Sequence, residues 1–302
     1  MRFFGIIYSM KKIAVLMGGN SSEREISLLS GRNIADALAS LGKYEVVSVD
    51  VADNTLDAMP RDVDAAYIAL HGGWGEDGGV QAALNALKIP YTGPGVEACR
   101  IAMDKVKTKM VLEMKNIPTA KWSLADRDAE KSPLPLPVVV KPPCDGSSVG
   151  ISKVSSDEQW KPALALADCS PVLVEEFVPG REFTVAVVDG EAWPVIEIVA
   201  KGGWYGYEEK YNSDETRYPF LEPCALADRL QQTAIDAYGA VGCRGVTRVD
   251  FRVSPLGRCY VLELNASPGF TSHSLVPKAG MRTGLTFAGV CDRILNRATY
   301  DK

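Results

Sequence analysis

Histidine is nearly absent. His71 and His273 are the only two in 302 residues, which excludes a histidine-rich metal centre. Any metal here should be a hard cation on carboxylates, Mg²⁺ rather than Zn²⁺. The seven cysteines (Cys99, Cys144, Cys169, Cys224, Cys243, Cys259, Cys291) are odd in number, scattered and free of any C-x-x-C pair. Neither a disulfide framework nor a zinc site is expected, and reduced thiols point to a cytoplasmic protein. No apolar run is long enough to span a bilayer, and the opening residues are too few for a signal-peptide core plus cleavage site. Met10 followed by Lys11 and Lys12 reads as a second start, with residues 1–9 as a dispensable tail. Positive charge is not in surplus. Lys and Arg number 33 against 38 Asp and Glu, a formal charge of −5 that argues against a general nucleic-acid surface yet permits a local basic pocket. There is no repeat, no low-complexity stretch, no G-x-x-x-x-G-K-[ST] and no G-x-G-x-x-G after the first strand, which removes the Walker and dinucleotide-binding readings.

What is present is a chain, 46% hydrophobic, long enough for two or three compact units. Residues 12–18 form a short apolar run of the buried parallel-strand kind, followed by apolar residues at helical spacing from Ile26 to Leu41. Strands are expected at 44–51, 65–70 and 88–91, with a helix over 80–87. This alternation predicts a doubly wound α/β domain over residues 1–95, with ligands at the carboxyl ends of its strands, near Glu23 and His71. A helix over 103–114, strands at 138–141, 171–178 and 182–188, and helices near 226–239 and 286–296 follow. Two mainly antiparallel α+β units are expected, a central one over 96–180 and a carboxy-terminal one over 181–302.

Chemistry concentrates in one predicted hairpin. The runs from Arg248 to Val253 and from Cys259 to Asn265 flank a Pro/Gly turn. Closing the loop over 255–258 pairs Ser254 with Cys259, which sets Asp250 opposite Glu263 and Arg248 opposite Asn265 on one face. Facing carboxylates repel unless a cation lies between them, so Asp250, Glu263 and Asn265 are candidate metal ligands, with Arg248 beside them for phosphate or an oxyanion. A second feature is the loop Asp145-Gly146-Ser147-Ser148-Val149-Gly150, which follows a strand ending in Lys141. Small residues let backbone N–H groups approach phosphate, and a lysine at the end of an apolar strand calls for an anionic partner.

These stretches resemble the ATP-grasp superfamily and, within it, the D-alanine–D-alanine ligase family, over residues 12–296. The resemblance rests on GGNSSEREIS from Gly18, HGGWGEDGGVQ from His71, Met103-Asp104-Lys105, and Lys141 with the serine loop. It extends through EEKYNSDET from Glu208 and Arg248-Val249-Asp250 to ELNASPGFTSHS from Glu263. It implies an ATP-grasp fold, with ATP and two Mg²⁺ (or Mn²⁺) bound between the last two units. It further implies two D-alanine substrates joined through a D-alanyl phosphate for peptidoglycan synthesis. By the same resemblance Lys105, Lys141 and Lys210 neutralise ATP phosphates under a loop containing Ser147, Ser148 and Val149. Glu175, Glu176, Phe177 and Val178 offer backbone groups to adenine, with Leu262 also at the nucleotide, and Glu182 reaches the ribose. Glu23 takes the first ammonium, with Ser147 and Tyr211 nearby, and His71 helps hold that substrate's carboxylate. Arg248 and the Gly269 N–H stabilise the tetrahedral intermediate, and Ser274 with Leu275 binds the second carboxylate. A lid over 202–216 is implied, and its Tyr211 favours a dipeptide product over D-alanyl-D-lactate. Plainer roles stay open for Glu23 and Ser274 as helix caps and for His71 as a loop residue. Cys144 and Trp74 depart from the family pattern and bear on loop shape. A homodimer is compatible with the sequence.

Overall fold

The computed structural model describes residues 10–146, 149–200 and 215–301. Ser147, Ser148, Lys210, Tyr211, most of the expected lid and the expected tail over 1–9 lie outside the described residues.

The chain opens with β1 (Lys11–Gly18), α1 (Arg24–Ser40), β2 (Tyr44–Val51), β3 (Ala65–Ile68) and α2 (Gly79–Leu87). The three strands are parallel in the order β2-β1-β3, as a βαβ pattern with helical crossovers demands. From Ile13 onward β1 is apolar because it is covered on both faces. Ala14 and Leu16 join a core with Val49, Leu70 and Leu84, while Ile13, Val15 and Met17 face α1. The expected strand at 88–91 is reduced to isolated bridges, from Tyr91 to Ala66 and to Thr299.

Next come α3 (Val96–Met103) and α4 (Lys105–Met114). The single helix expected over 103–114 therefore starts later, because Asp104 is extended (φ −98°, ψ 103°) and its carboxylate caps the Val106 and Lys107 N–H groups. A four-stranded antiparallel sheet follows, built from β4 (Trp122–Ala125), β5 (Val138–Lys141), β6 (Ser152–Val154) and β7 (Val172–Glu176), with α5 (Trp160–Ala167) between the last two. Its order is β4-β7-β5-β6. Val138, Val140, Val172 and Val174 pack with Trp160 and Leu164. Alternation leaves Val139, Lys141, Leu173 and Glu175 on the opposite face.

The last sheet holds β8 (Arg181–Val188), β9 (Glu191–Ala192), β10 (Ile196–Ile198), β11 (Val246–Val253) and β12 (Cys259–Asn265), with α6 (Ala225–Val241) between β10 and β11. Its path is β10-β8-β11-β12, with β9 on β8. Two helices finish the chain, α7 (Leu275–Arg282) and α8 (Phe287–Leu295). The cores do not follow chain order. Cys99, Ala102 and Leu112, from the stretch expected in the central unit, pack with Leu230, Ala234 and Phe251 of the five-stranded unit. Residues of α7 and α8, among them Val276, Val290 and Ile294, share a core with Ile34 and Leu38 of α1.

Candidate active site

The hairpin carries the expected cross-strand pairs, reached by a different route. Asp250 faces Glu263 and Arg248 faces Asn265, but Val253, not Ser254, pairs with Cys259. The loop is one residue longer than expected, and a bulge next to Phe251, which leaves Leu262 unpaired, restores the register. The bulge keeps Val261 and Leu264 both in the core, with Val249 and Phe251. Glu263 and Asn265 are thereby turned to the other face. On that face Asp250, 6% exposed, is held from every side. Arg248 approaches it bidentately (Nε to Oδ1 2.9 Å, guanidinium to Oδ2 2.8 Å), Thr184 donates to Oδ1 at 2.6 Å, and the Asn265 amide donates to Oδ2 at 3.1 Å.

The amino-terminal unit supplies the facing wall. Glu23 occupies the N-cap position of α1 yet makes no side-chain capping bond. Its carboxylate instead lies against Gly72 and Gly146; a Cβ on Gly72 would come 3.0 Å from Glu23 Oε2, and one on Gly146 3.3 Å. Gly72 at φ +67° makes this approach possible. His71 is buried with both ring nitrogens engaged, Nδ1 at 2.9 Å from the Ser267 carbonyl and Nε2 at 3.2 Å from Ser30 Oγ. A carbonyl only accepts, so Nδ1 carries the proton. Burial depresses the imidazole pKa and keeps the ring neutral. Glu76 lies 4.0 Å from the same ring; burial, reinforced by Glu23, pushes its carboxyl up to about 8.

The turn after β12 is stapled to this wall. Ser267 Oγ donates to the Leu70 carbonyl at 2.7 Å, the Phe270 N–H donates to Ser30 Oγ at 3.1 Å, and Asn33 donates to the Phe270 carbonyl at 3.1 Å. Gly269 therefore projects from a fixed turn. Ser274 sits at the N-cap of α7, but its hydroxyl turns back to accept the Thr271 N–H at 2.8 Å rather than capping the helix.

These elements close a cleft of about 530 Å³ lined by Glu23, His71, Lys105, Arg248, Glu263, Asn265, Gly269, Ser274 and Leu275 among others. Lys105 is buried in it, with Nζ 2.6 Å from the Asp145 carbonyl and 3.5 Å from Glu263. The remaining expected residues form a neighbouring group. Lys141 Nζ lies 2.5 Å from Glu175. Arg252 joins Glu182, at 3.2 Å, to the Val178 carbonyl, also at 3.2 Å, and its guanidinium lies 5.7 Å from the Phe177 ring centre. Glu176 and Val149 are exposed, and Leu262 is half-buried on the bulge. Sequence reasoning overlooked Glu76, Thr184, Lys278 and the fully buried Lys109. Glu76 sits in the quoted HGGWGEDGG stretch and was the most findable; Lys109, in the run KVKTK, looks like part of a solvated face.

A parallel α/β unit followed by two antiparallel sheets, with the buried Lys105 and the carboxylates of Glu23, Glu76 and Glu263 turned to one cleft, defines an ATP-grasp ligase. The chain belongs to the D-alanine–D-alanine ligase family. Family models described as D-ala D-ala ligase C-terminus and N-terminus match residues 108–296 and 52–94. The D-alanine–D-alanine ligase of Aromatoleum aromaticum is 44% identical over 309 residues, covering 99% of each chain. Among solved structures, the D-alanine–D-alanine ligase of Bacillus anthracis complexed with ATP is 32% identical, with a TM-score of 0.84 over 96% of this chain and 97% of that one. The D-Ala:D-Ser ligase of Enterococcus faecalis is 27% identical, with a TM-score of 0.83 over 95% and 99%.

Proposed function

We propose that the chain joins two D-alanine molecules to D-alanyl-D-alanine in the cytoplasm, at the expense of ATP, for peptidoglycan precursor synthesis. The observation that carries this reading is the convergence of Glu23, Lys105, Arg248, Glu263 and the turn at Gly269 and Ser274 on one cleft. A carboxylate oxygen of the first D-alanine attacks the γ-phosphorus, the bond to the ADP oxygen breaks, and a D-alanyl phosphate forms. The amine of the second D-alanine then adds to the carbonyl carbon and loses a proton, and phosphate departs with the C–O bond.

Each protein group has a physical task. Glu23 meets the first ammonium beside Gly146, and Ser147 and Tyr211 are assigned to its neighbourhood. His71, with both nitrogens engaged, acts by fixing the Ser267 turn and not by offering a nitrogen to the first carboxylate. Arg248 and the Gly269 N–H meet the oxyanion that develops on addition. Ser274 and the Leu275 N–H, at the start of α7, receive the second carboxylate, a favourable place for negative charge. Lys105, Lys141 and Lys210 neutralise phosphates, with Ser148 and Val149 above them. Adenine is assigned to the segment Glu175, Glu176, Phe177 and Val178 with Leu262, and the ribose to Glu182.

The donor set Asp250, Glu263 and Asn265 is all oxygen and lies on one face of the hairpin, which fits Mg²⁺ or Mn²⁺. Such an ion would supply charge neutralisation at the phosphates. Phosphate release with ATP, Mg²⁺ and D-alanine tests the proposal, against L-alanine, D-serine and D-lactate as controls. Absence of D-alanine-dependent release overturns it, and preferential use of D-lactate with D-alanine moves the activity to an ester-forming ligase.

A further inference from the structure

Lys109 follows Lys105 by one helical turn on α4, but its side chain is 0% exposed. Its ammonium donates to Thr119 Oγ1 at 2.7 Å and to the Ala120 carbonyl at 3.3 Å, and lies 2.8 Å from Glu175 Oε1. That last contact is a buried ion pair. Glu175 is 2% exposed, and its other oxygen faces Lys141 at 2.5 Å. Thr119 passes its own proton to the Val261 carbonyl at 2.8 Å, next to the Leu262 bulge.

Two ammonium groups and one carboxylate are thus buried together, a net charge of one positive. Burial alone would raise the Glu175 pKa, but Lys141 and Lys109 outweigh it and hold the carboxyl below its ordinary value. For Lys109 burial outweighs the opposing pull of Glu175 and lowers the ammonium pKa from its ordinary value. If Lys109 were neutral, Lys141 would be the sole counter-ion of a buried carboxylate and could not leave it. With Lys109 in place, Lys141 can turn to an ATP phosphate while Glu175 stays paired.

The geometry points to Lys109 as a positioning residue for ATP: it is the resident counter-ion of Glu175, which frees Lys141 to exchange that carboxylate for a phosphate. Lys109 itself touches no substrate. The inference rests on the proposed reading of Lys141 as an ATP-phosphate ligand.

The test uses the full-length enzyme with ATP, Mg²⁺ and D-alanine, and separate KM values for each substrate. Lys109→Met should raise KM for ATP by about 30-fold, with KM for D-alanine within about 2-fold, the pattern of a lost nucleotide-specific interaction. Lys109→Arg, which keeps the charge, should recover most of the loss. The double variant K109M/E175Q should bind ATP better than K109M alone, because a neutral glutamine needs no counter-ion. The double variant and K109R also carry the test if K109M does not fold. An unchanged KM for ATP in K109M overturns the inference, as does a double variant no better than the single one. Lys141→Met run in parallel separates the two readings. If it raises KM for ATP while K109M does not, only the inference about Lys109 fails; if it leaves KM for ATP unchanged, the phosphate role of Lys141 fails as well.

Discussion

Asp250 and Glu263 face each other across β11 and β12 because the ladder passes over Leu262 without pairing it. The two carboxylates share a face only through that irregularity, since strict alternation from Val261 would turn Glu263 into the core. Glu263→Gln should leave the fold intact and lower kcat by about 100-fold or more, through loss of a ligand charge at the phosphate-transfer centre. Deleting Leu262 should instead regularise the ladder, because Glu263 then follows Val261 directly and still faces Asp250, so the hairpin fold and the carboxylate pair should both survive. Circular dichroism and steady-state kinetics on the pair separate the effects. Near-normal turnover in E263Q would remove the hairpin from the chemistry.

Ser274 is expected to act on one substrate only. Its hydroxyl is aligned by the Thr271 N–H at 2.8 Å, so it is already oriented when a carboxylate arrives at the start of α7. Ser274→Ala should raise KM for the second D-alanine by about 10-fold, the worth of one hydrogen bond to a charged group, and leave KM for ATP unchanged. Biphasic D-alanine kinetics resolve the two sites. Equal effects on ATP and D-alanine would point to a general disturbance of the turn.

Legibility followed the range of the interaction. The run Val138–Lys141 was readable because three valines and a terminal lysine are a local pattern. The partnership of Asp250 with Glu263 was reached although the loop was assigned one residue too few, because the unpaired Leu262 offset the miscount. A bulge leaves no compositional mark. The role of Lys109 depends on Glu175, 66 positions away in sequence and brought to it only by the tertiary fold, so spacing could not expose it. The break at Asp104 was concealed for the opposite reason: the apolar period continues across it, and only the capping carboxylate interrupts the helix.

Glu76 makes stability depend on pH. Its folded pKa of about 8 lies above the ordinary 4.5, so the folded state holds this proton more tightly than the unfolded one. The stabilisation is complete below the ordinary value and is lost as pH rises through about 8. The unfolding free energy of wild type minus that of Glu76→Gln should therefore fall between about pH 5 and about pH 8, with a slope below about 1.4 kcal/mol per pH unit. The slope cannot exceed that limit because a single carboxyl takes up at most one proton. His71 acts with the opposite sign, its depressed pKa costing stability as pH falls, but both proteins carry it and its contribution largely cancels. A difference that does not vary with pH would place the Glu76 carboxyl in water.

Gly31 connects packing to the site. A Cβ there would fall 2.4 Å from Met17 Cβ, an atom one bond from the backbone that cannot swing aside as a side-chain tip can. α1 would have to lift from β1, at a cost of about 1–3 kcal/mol for an overpacked core. The same helix carries Ser30 and Asn33, which hold the Phe270 end of the turn, and Glu23 at its start. Gly31→Ala should therefore lower the melting temperature and also raise KM for D-alanine, while KM for ATP, whose proposed ligands lie outside α1 and the turn it holds, changes little. Lys109 and Glu175 lie outside this chain of contacts and give the matching control: their variants should move KM for ATP alone. If Gly31→Ala loses stability but keeps KM for D-alanine, the turn at Gly269 does not depend on α1 for its position.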